Sequence, residues 1–254
     1  MIERLIDTQK AEALFENWQE TLIWSCLQNI MGEVYADDKE QPESAMALIG
    51  DFCFFAGKTN EELVKYKPEA CSRDFLIMVP QNDDWAELIE KTYVDRANKV
   101  TRYAIKKDTC FQKEKLQAAV AALSKVYSLQ MMDEALFYWC KEHGWSRDFV
   151  SQYETYDRYR ELGMGVLALK DGIPVAGASS YTCYRDGIEI EIDTKEEYRR
   201  QGLAYACGAK LILECLERGL YPSWDAQNLW SVALAEKLGY TYDHDYTAYE
   251  ISGW

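Results

Sequence analysis

Residues 187–204, GIEIEIDTKEEYRRQGLA, limit what this chain can fold into more than any other stretch. Ile188, Ile190 and Ile192 alternate with Glu189, Glu191 and Asp193, the period-2 pattern of a strand with one apolar and one acidic face. The alternation breaks at Thr194-Lys195-Glu196-Glu197. Arg199-Arg200-Gln201-Gly202-Leu203-Ala204 then opens a helical pattern that runs to about Arg218. A strand that passes through a basic, glycine-containing turn into a helix suits a phosphate. The first helical amides lack intrahelical acceptors, the helix dipole favours an anion, and Gly202 keeps side-chain bulk away from the backbone. The same residues also fit an ordinary strand–helix turn with two solvated arginines.

The rest of the chain sets that stretch in an α/β context. Residues 8–30 are expected to be helical. Short strands are expected at Gly50–Gly57, Phe75–Val79 and Val100–Ile105, with a helix from Asn82 to about Tyr93. The adjacent Asp83 and Asp84 fit cap and dipole roles. Polar residues Lys106–Lys115 form a linker that passes into a helix reaching Leu123. Beyond it the pattern predicts a strand at Val126–Met131 and helices at Asp133–Glu142 and Ser146–Leu162. A hairpin turning at Lys170-Asp171-Gly172 joins Gly165–Leu169 to Pro174–Cys183. Asn228–Leu238 is a helix closed by Gly239, followed by a final strand pair, Tyr240–Tyr242 and Tyr246–Ile251. This divides the chain into a small α/β domain over 1–110 and a second domain over 111–254.

Composition narrows the function classes. The formal charge of −15 is spread over both parts, which disfavours nucleic acid and anionic membranes and tolerates a cationic acceptor. Eight cysteines at irregular spacing and two histidines, His143 and His244, give no metal pattern. No apolar run is long enough for a membrane span, and the thiol usage fits a reducing cytoplasm.

Two motifs carry a resemblance. Arg199-x-x-Gly202-x-Ala204, and Asn228-x-x-Ser231 followed by Leu238-Gly239-Tyr240, resemble the two signatures of the GNAT N-acetyltransferases, in family order. Gly187–Thr194, Tyr221–Ala226, Leu234–Tyr240, Gly50–Phe55 and Trp145–Asp148 look like the GNATs related to zwittermicin A resistance acetyltransferases, which extends the resemblance over nearly the whole chain.

The resemblance implies a mixed, mostly antiparallel central sheet flanked by helices, with acetyl-CoA as donor. A small-molecule amine would be the acceptor, of an aminated antibiotic-like kind. It implies backbone donors for the developing oxyanion near Ile192–Thr194. The pyrophosphate would sit on the amides from Gln201 through Gly202, Leu203 and Ala204 to Tyr205, with charge from Arg199 and Arg200. Asn228 would contact the pantetheine arm, although an N-cap explains it equally, and Ser231 follows on the same helix. Glu189 or Glu191 would accept the amine's proton; a solvated acidic face is the competing explanation. The family's proton-donating Tyr falls at Ala235, which has nothing to donate. A non-catalytic acyl-CoA-binding regulatory module is therefore a second reading. The N-terminal domain would either shape the acceptor cleft or pack across a homodimer.

Overall fold

A computed structural model describes every residue except residue 70. The chain forms two compact units, Met1–Arg102 with Asp245–Trp254, and Tyr103–His244. The first begins with β1 (Glu3–Arg4), a 3-10 turn (Thr8–Phe15) and α1 (Thr21–Leu27). Then come β2 (Glu33–Ala36), β3 (Ser44–Ile49), β4 (Phe52–Gly57), α2 (Glu61–Lys65), β5 (Phe75–Pro80), α3 (Asp83–Tyr93) and β6 (Ala97–Ile105). Strands β1 to β4 pair antiparallel in succession, and β5 runs parallel to β4. Their core is aromatic: Trp85 is fully buried, stacks on Phe55 at 5.2 Å and donates its indole N–H to the Gly57 carbonyl.

The second unit contains α4 (Lys113–Ala121), β7 (Tyr127–Met131), α5 (Glu134–Glu142), a 3-10 turn (Gly144–Phe149) and α6 (Tyr156–Leu162). These lead into β8 (Gly165–Lys170), β9 (Ile173–Tyr184), β10 (Gly187–Thr194), α7 (Leu203–Glu217), β11 (Tyr221–Ser223), β12 (Asp225–Ala226) and α8 (Leu229–Leu238). The sheet order is β11-β10-β9-β8-β7, antiparallel except for the parallel β10–β11 pair. Asp171 and Gly172 both have positive φ, the geometry that an Asp-Gly hairpin turn requires. Helix α7 lies against β8, β9 and β10. The mixed α/β fold with antiparallel-dominated sheets is the class that the family resemblance implies.

Several local expectations need correction. Residues 8–30 do not form one helix, because Glu16 is extended and Asn17 is left-handed at φ 67°, which ends the 3-10 turn before α1. Ser146–Leu162 likewise divides: Thr155 is extended and caps α6 through the Arg158 amide. The expected final strand pair is a single strand, β13 (Tyr242–Ser252), running through exposed polar residues. Its residues 249–252 pair antiparallel with β5, from Tyr249 opposite Met78 to Ser252 opposite Phe75. The last ten residues thus lie in the first unit rather than with the rest of 111–254. Strands β2 and β3 carry no alternation by which to recognise them, since β3 is buried along its whole length.

Candidate functional site

The site is built on an edge where β10 loses its neighbour. Strand β11 pairs with β10 only from Gly187 opposite Tyr221 to Glu189 opposite Ser223. After Trp224 the chain enters β12, which pairs instead with Tyr103 and Ala104 of β6. Strand β10 continues for five more residues, so a cleft opens beyond Glu189 and Ser223. On its other edge β10 stays paired with β9 to Thr194 opposite Ala176. A bulge at Tyr181 of β9 breaks that register between Glu189 and Ile190.

Hydrogen-bond parity decides which amides face the cleft. Lys195 donates its N–H to the Val175 carbonyl at 2.9 Å, so Asp193 and Glu191 also direct their amides to β9. Ile190, Ile192 and Thr194 direct theirs the other way. The Thr194 amide is taken by the Asp193 carboxylate at 2.6 Å. Of the expected donors around Ile192–Thr194, Ile192 therefore keeps an amide aimed at the open edge, whereas Thr194 has given its own to a local acceptor. Two hydroxyls beside this edge, Thr194 Oγ1 and Ser223 Oγ, are buried with no hydrogen-bond partner among the described residues.

The turn between β10 and α7 has the curvature of an anion cradle. Arg200 (φ 62°) and Gly202 (φ 79°) are both left-handed and flank Gln201, the kind of tight turn in which backbone N–H groups can gather around an anion. A Cβ placed on Gly202 would meet nothing within 4 Å. Helix α7 has 15 residues, no acidic residue in its first turn and no side-chain cap, leaving the amides of Leu203, Ala204 and Tyr205 without intrahelical acceptors. Arg199 does not simply project as a free cation. Its Nε donates to the Thr194 carbonyl at 3.2 Å and its Nη2 lies 3.8 Å from Asp193 Oδ1, bracing the turn to the strand end. Gln201 Oε1 accepts from the Tyr127 hydroxyl at 2.5 Å.

The acidic face of β10 is not a solvated face throughout. Glu189 is 4% exposed. Burial first, and then the neighbouring Glu189, pushes the Tyr184 hydroxyl pKa above the ordinary range; burial, then Tyr221, Cys215 and Glu189, do the same to Tyr240. Glu191 and Asp193 are half-buried. Burial raises the Asp193 pKa, the Thr194 amide and Arg199 oppose the shift, and Asp148 adds to it. Asp148 belongs to the 3-10 turn Gly144–Phe149, which packs against both β9 and β10. Ser179 Oγ, opposite Glu191, donates to the Phe149 carbonyl at 2.7 Å and bonds the Tyr159 hydroxyl at 2.8 Å. Asp193 has a sequence signal, as the third carboxylate on that face, but its contact with Arg199 is made only by the turn.

Asn228 and Ser231 are brought together by a cap. Asn228 Oδ1 accepts the Ser231 amide at 2.9 Å, and Ser231 Oγ accepts the Trp224 indole N–H at 3.0 Å. The cap leaves the Asn228 carboxamide nitrogen outside it. Ala235 is fully buried, and the Tyr240 hydroxyl donates to the Pro222 carbonyl at 2.6 Å. Among the described residues no cluster could hold a metal ion, all eight cysteines are free thiols, and no helix is long and apolar enough to cross a membrane.

Residues 12–249 match the family described as GNAT acetyltransferase. A crystal structure of a GCN5-related N-acetyltransferase-like protein from Streptococcus suis 89/1591 superposes with a TM-score of 0.91 at 46% identity, over 96% of this chain and 98% of that one. An uncharacterised N-acetyltransferase of Bacillus subtilis (strain 168), YdfB, is 30% identical over 246 residues, 90% of this chain and 89% of that protein.

Proposed function

Because this chain belongs to the GNAT acetyltransferase family, we propose that it is an acetyl-CoA-dependent N-acetyltransferase acting on a primary amine of a small molecule. The observation that carries this reading is the left-handed pair Arg200 and Gly202 at the head of α7, with open space where a Gly202 side chain would stand. The amides from Gln201 to Tyr205 would hold the pyrophosphate, with the charge of Arg200 and the braced Arg199 beside it. The two unpartnered hydroxyls, Thr194 Oγ1 and Ser223 Oγ, and the Asn228 nitrogen are polar groups suited to an amide-bearing pantetheine arm. Acetyl-CoA would supply the acetyl group as an activated thioester.

The chain's own groups would do the rest. An amine is protonated at neutral pH and must lose a proton to become a nucleophile. Glu189, at the parting of β10 and β11, or Glu191, two residues along the same face, would accept it. The Ile192 amide would donate to the oxygen on which negative charge develops. The 3-10 turn Gly144–Phe149, packed against β9 and β10, would border the acceptor side. The stretches that resemble zwittermicin A resistance acetyltransferases make an aminated, antibiotic-like compound the first acceptor class to test. Eight free thiols support a cytoplasmic location.

Incubation with labelled acetyl-CoA and a panel of amines tests the reading: an acetylated amine is expected. Ala235, which offers no proton donor, favours a second reading as a non-catalytic acyl-CoA-binding module. Tight coenzyme binding with no acetylated product across the panel would favour that module instead.

A further inference from the structure

The two units repeat one plan. In the first, four strands pair antiparallel in succession, β1-β2-β3-β4, and a helix, α2, crosses over to a fifth strand parallel to the fourth. In the second, β7-β8-β9-β10 pair antiparallel in succession, and α7 crosses over to the parallel β11. Helical segments separate the first and second strands of both: the Thr8–Phe15 turn and α1 in one, α5, the Gly144–Phe149 turn and α6 in the other. A helix and a last strand follow the fifth strand in both, α3 and β6, then α8 and β13. β13 is built into the first unit against β5, and the end of β6 pairs with β12 in the second.

The two plans differ at three places, all where the second unit has its site. Strand β4 stays paired with β5 as far as Phe55 opposite Pro80, two residues before it ends, so almost no cleft opens there. Its residues Phe52-Cys53-Phe54-Phe55-Ala56 supply no carboxylate where β10 has Glu189, Glu191 and Asp193. The turn after β4 is filled. Gly57 is left-handed like Gly202 (φ 82° against 79°), but a Cβ there would lie 2.2 Å from the Glu43 carbonyl oxygen. Gly57 donates its amide to Gln81 Oε1, and Lys58 donates its own to the Glu43 carbonyl. Asn60 Oδ1 accepts the amides of Glu62 and Leu63, and Glu61 and Glu62 put two carboxylates in the first turn of α2. The amides of Gly57, Lys58, Glu62 and Leu63 are thus already satisfied, and the first turn of α2 presents like charge to an anion.

We infer that the first unit is a second copy of the acyltransferase fold whose anion turn has been closed by its own side chains, so that the chain takes up one equivalent of acetyl-CoA, through the second unit alone. This rests on the acetyl-CoA reading proposed above. Equilibrium dialysis of the full chain with labelled acetyl-CoA, joined to hydrogen exchange with and without it, is the test. One bound equivalent is expected, absent in Gly202→Val and in the milder Gly202→Asn, with slowed exchange at residues 199–205 and none at 58–63. A second equivalent, one that survives either substitution, or protection at residues 58–63 would overturn the inference and leave the functional proposal standing. No binding to the unaltered chain would bring down the functional proposal, and the stoichiometry with it.

Discussion

The Arg199 guanidinium lies 3.8 Å from the Asp193 carboxylate, and between them they hold both backbone groups of Thr194: Asp193 accepts its amide and Arg199 donates to its carbonyl. The end of the strand and the start of the cradle are thereby one rigid piece. Arg199→Ala should leave the fold intact and weaken acetyl-CoA about tenfold, since a charge-assisted hydrogen bond at a partly exposed site is worth roughly 1–1.5 kcal/mol. Titration calorimetry measures it; unchanged affinity would mean that the turn keeps its shape unaided.

The same carboxylate predicts a pH dependence. Burial holds the folded-state pKa of Asp193 above its unfolded value, so the folded chain binds the extra proton. The resulting stability is fully present below the unfolded pKa and is lost as pH rises through the folded one. Asp193→Asn abolishes this dependence, so its melting temperature relative to the unaltered chain should rise as pH climbs from below the unfolded carboxylate pKa through the folded one. A variant that falls further behind as pH rises would show that the Arg199 ion pair outweighs the burial.

Gly202→Val should remove the thermal stabilisation by acetyl-CoA, roughly 2.7 kcal/mol at about 100 times the dissociation constant. The substitution places a branched side chain in the open cradle at a φ of 79°, which also strains the backbone. Gly202→Asn separates the two effects, because Asn tolerates the left-handed region. It should keep the apo melting temperature and still lose the bound coenzyme. Equal thermal shifts in all three proteins would remove the cradle from the site.

Glu189→Gln and Glu191→Gln, made separately, identify the proton acceptor. At least one should lower the chemical rate by about 10²–10⁴-fold with acetyl-CoA affinity retained. Single-turnover kinetics reads the step directly, and normal rates in both would exclude the pair.

Ser223→Ala should move stability and binding in opposite directions. Its hydroxyl is buried with no hydrogen-bond partner among the described residues, so removal should leave the apo chain as stable or up to about 2 kcal/mol more so. Acetyl-CoA should bind more weakly if that hydroxyl serves the pantetheine arm. Loss of apo stability would mean that the hydroxyl already has work in the fold.

Much of the second unit could be read from the chain. The isoleucine–glutamate alternation of β10, the Asp171-Gly172 turn, the Asn228 cap and the Gly239 stop are written within a few residues, because dihedral preference and capping act over one turn of chain. The glycine in Arg199-x-x-Gly202-x-Ala204 likewise announces its left-handed position. What the tertiary structure decided depends on partners distant in sequence. Glu189 is buried rather than solvated because β11, 32 residues away at its Tyr221 end, pairs beside it and then leaves. The amide of Ile192 faces an open edge because β12 turns to β6. Strand β13 lies against β5, some 170 residues earlier in the chain, and no periodicity within β13 could say so. Strand partners, the end of a ladder and the desolvation of a carboxylate are set by which distant surfaces meet, and local pattern specifies each surface without specifying its neighbour.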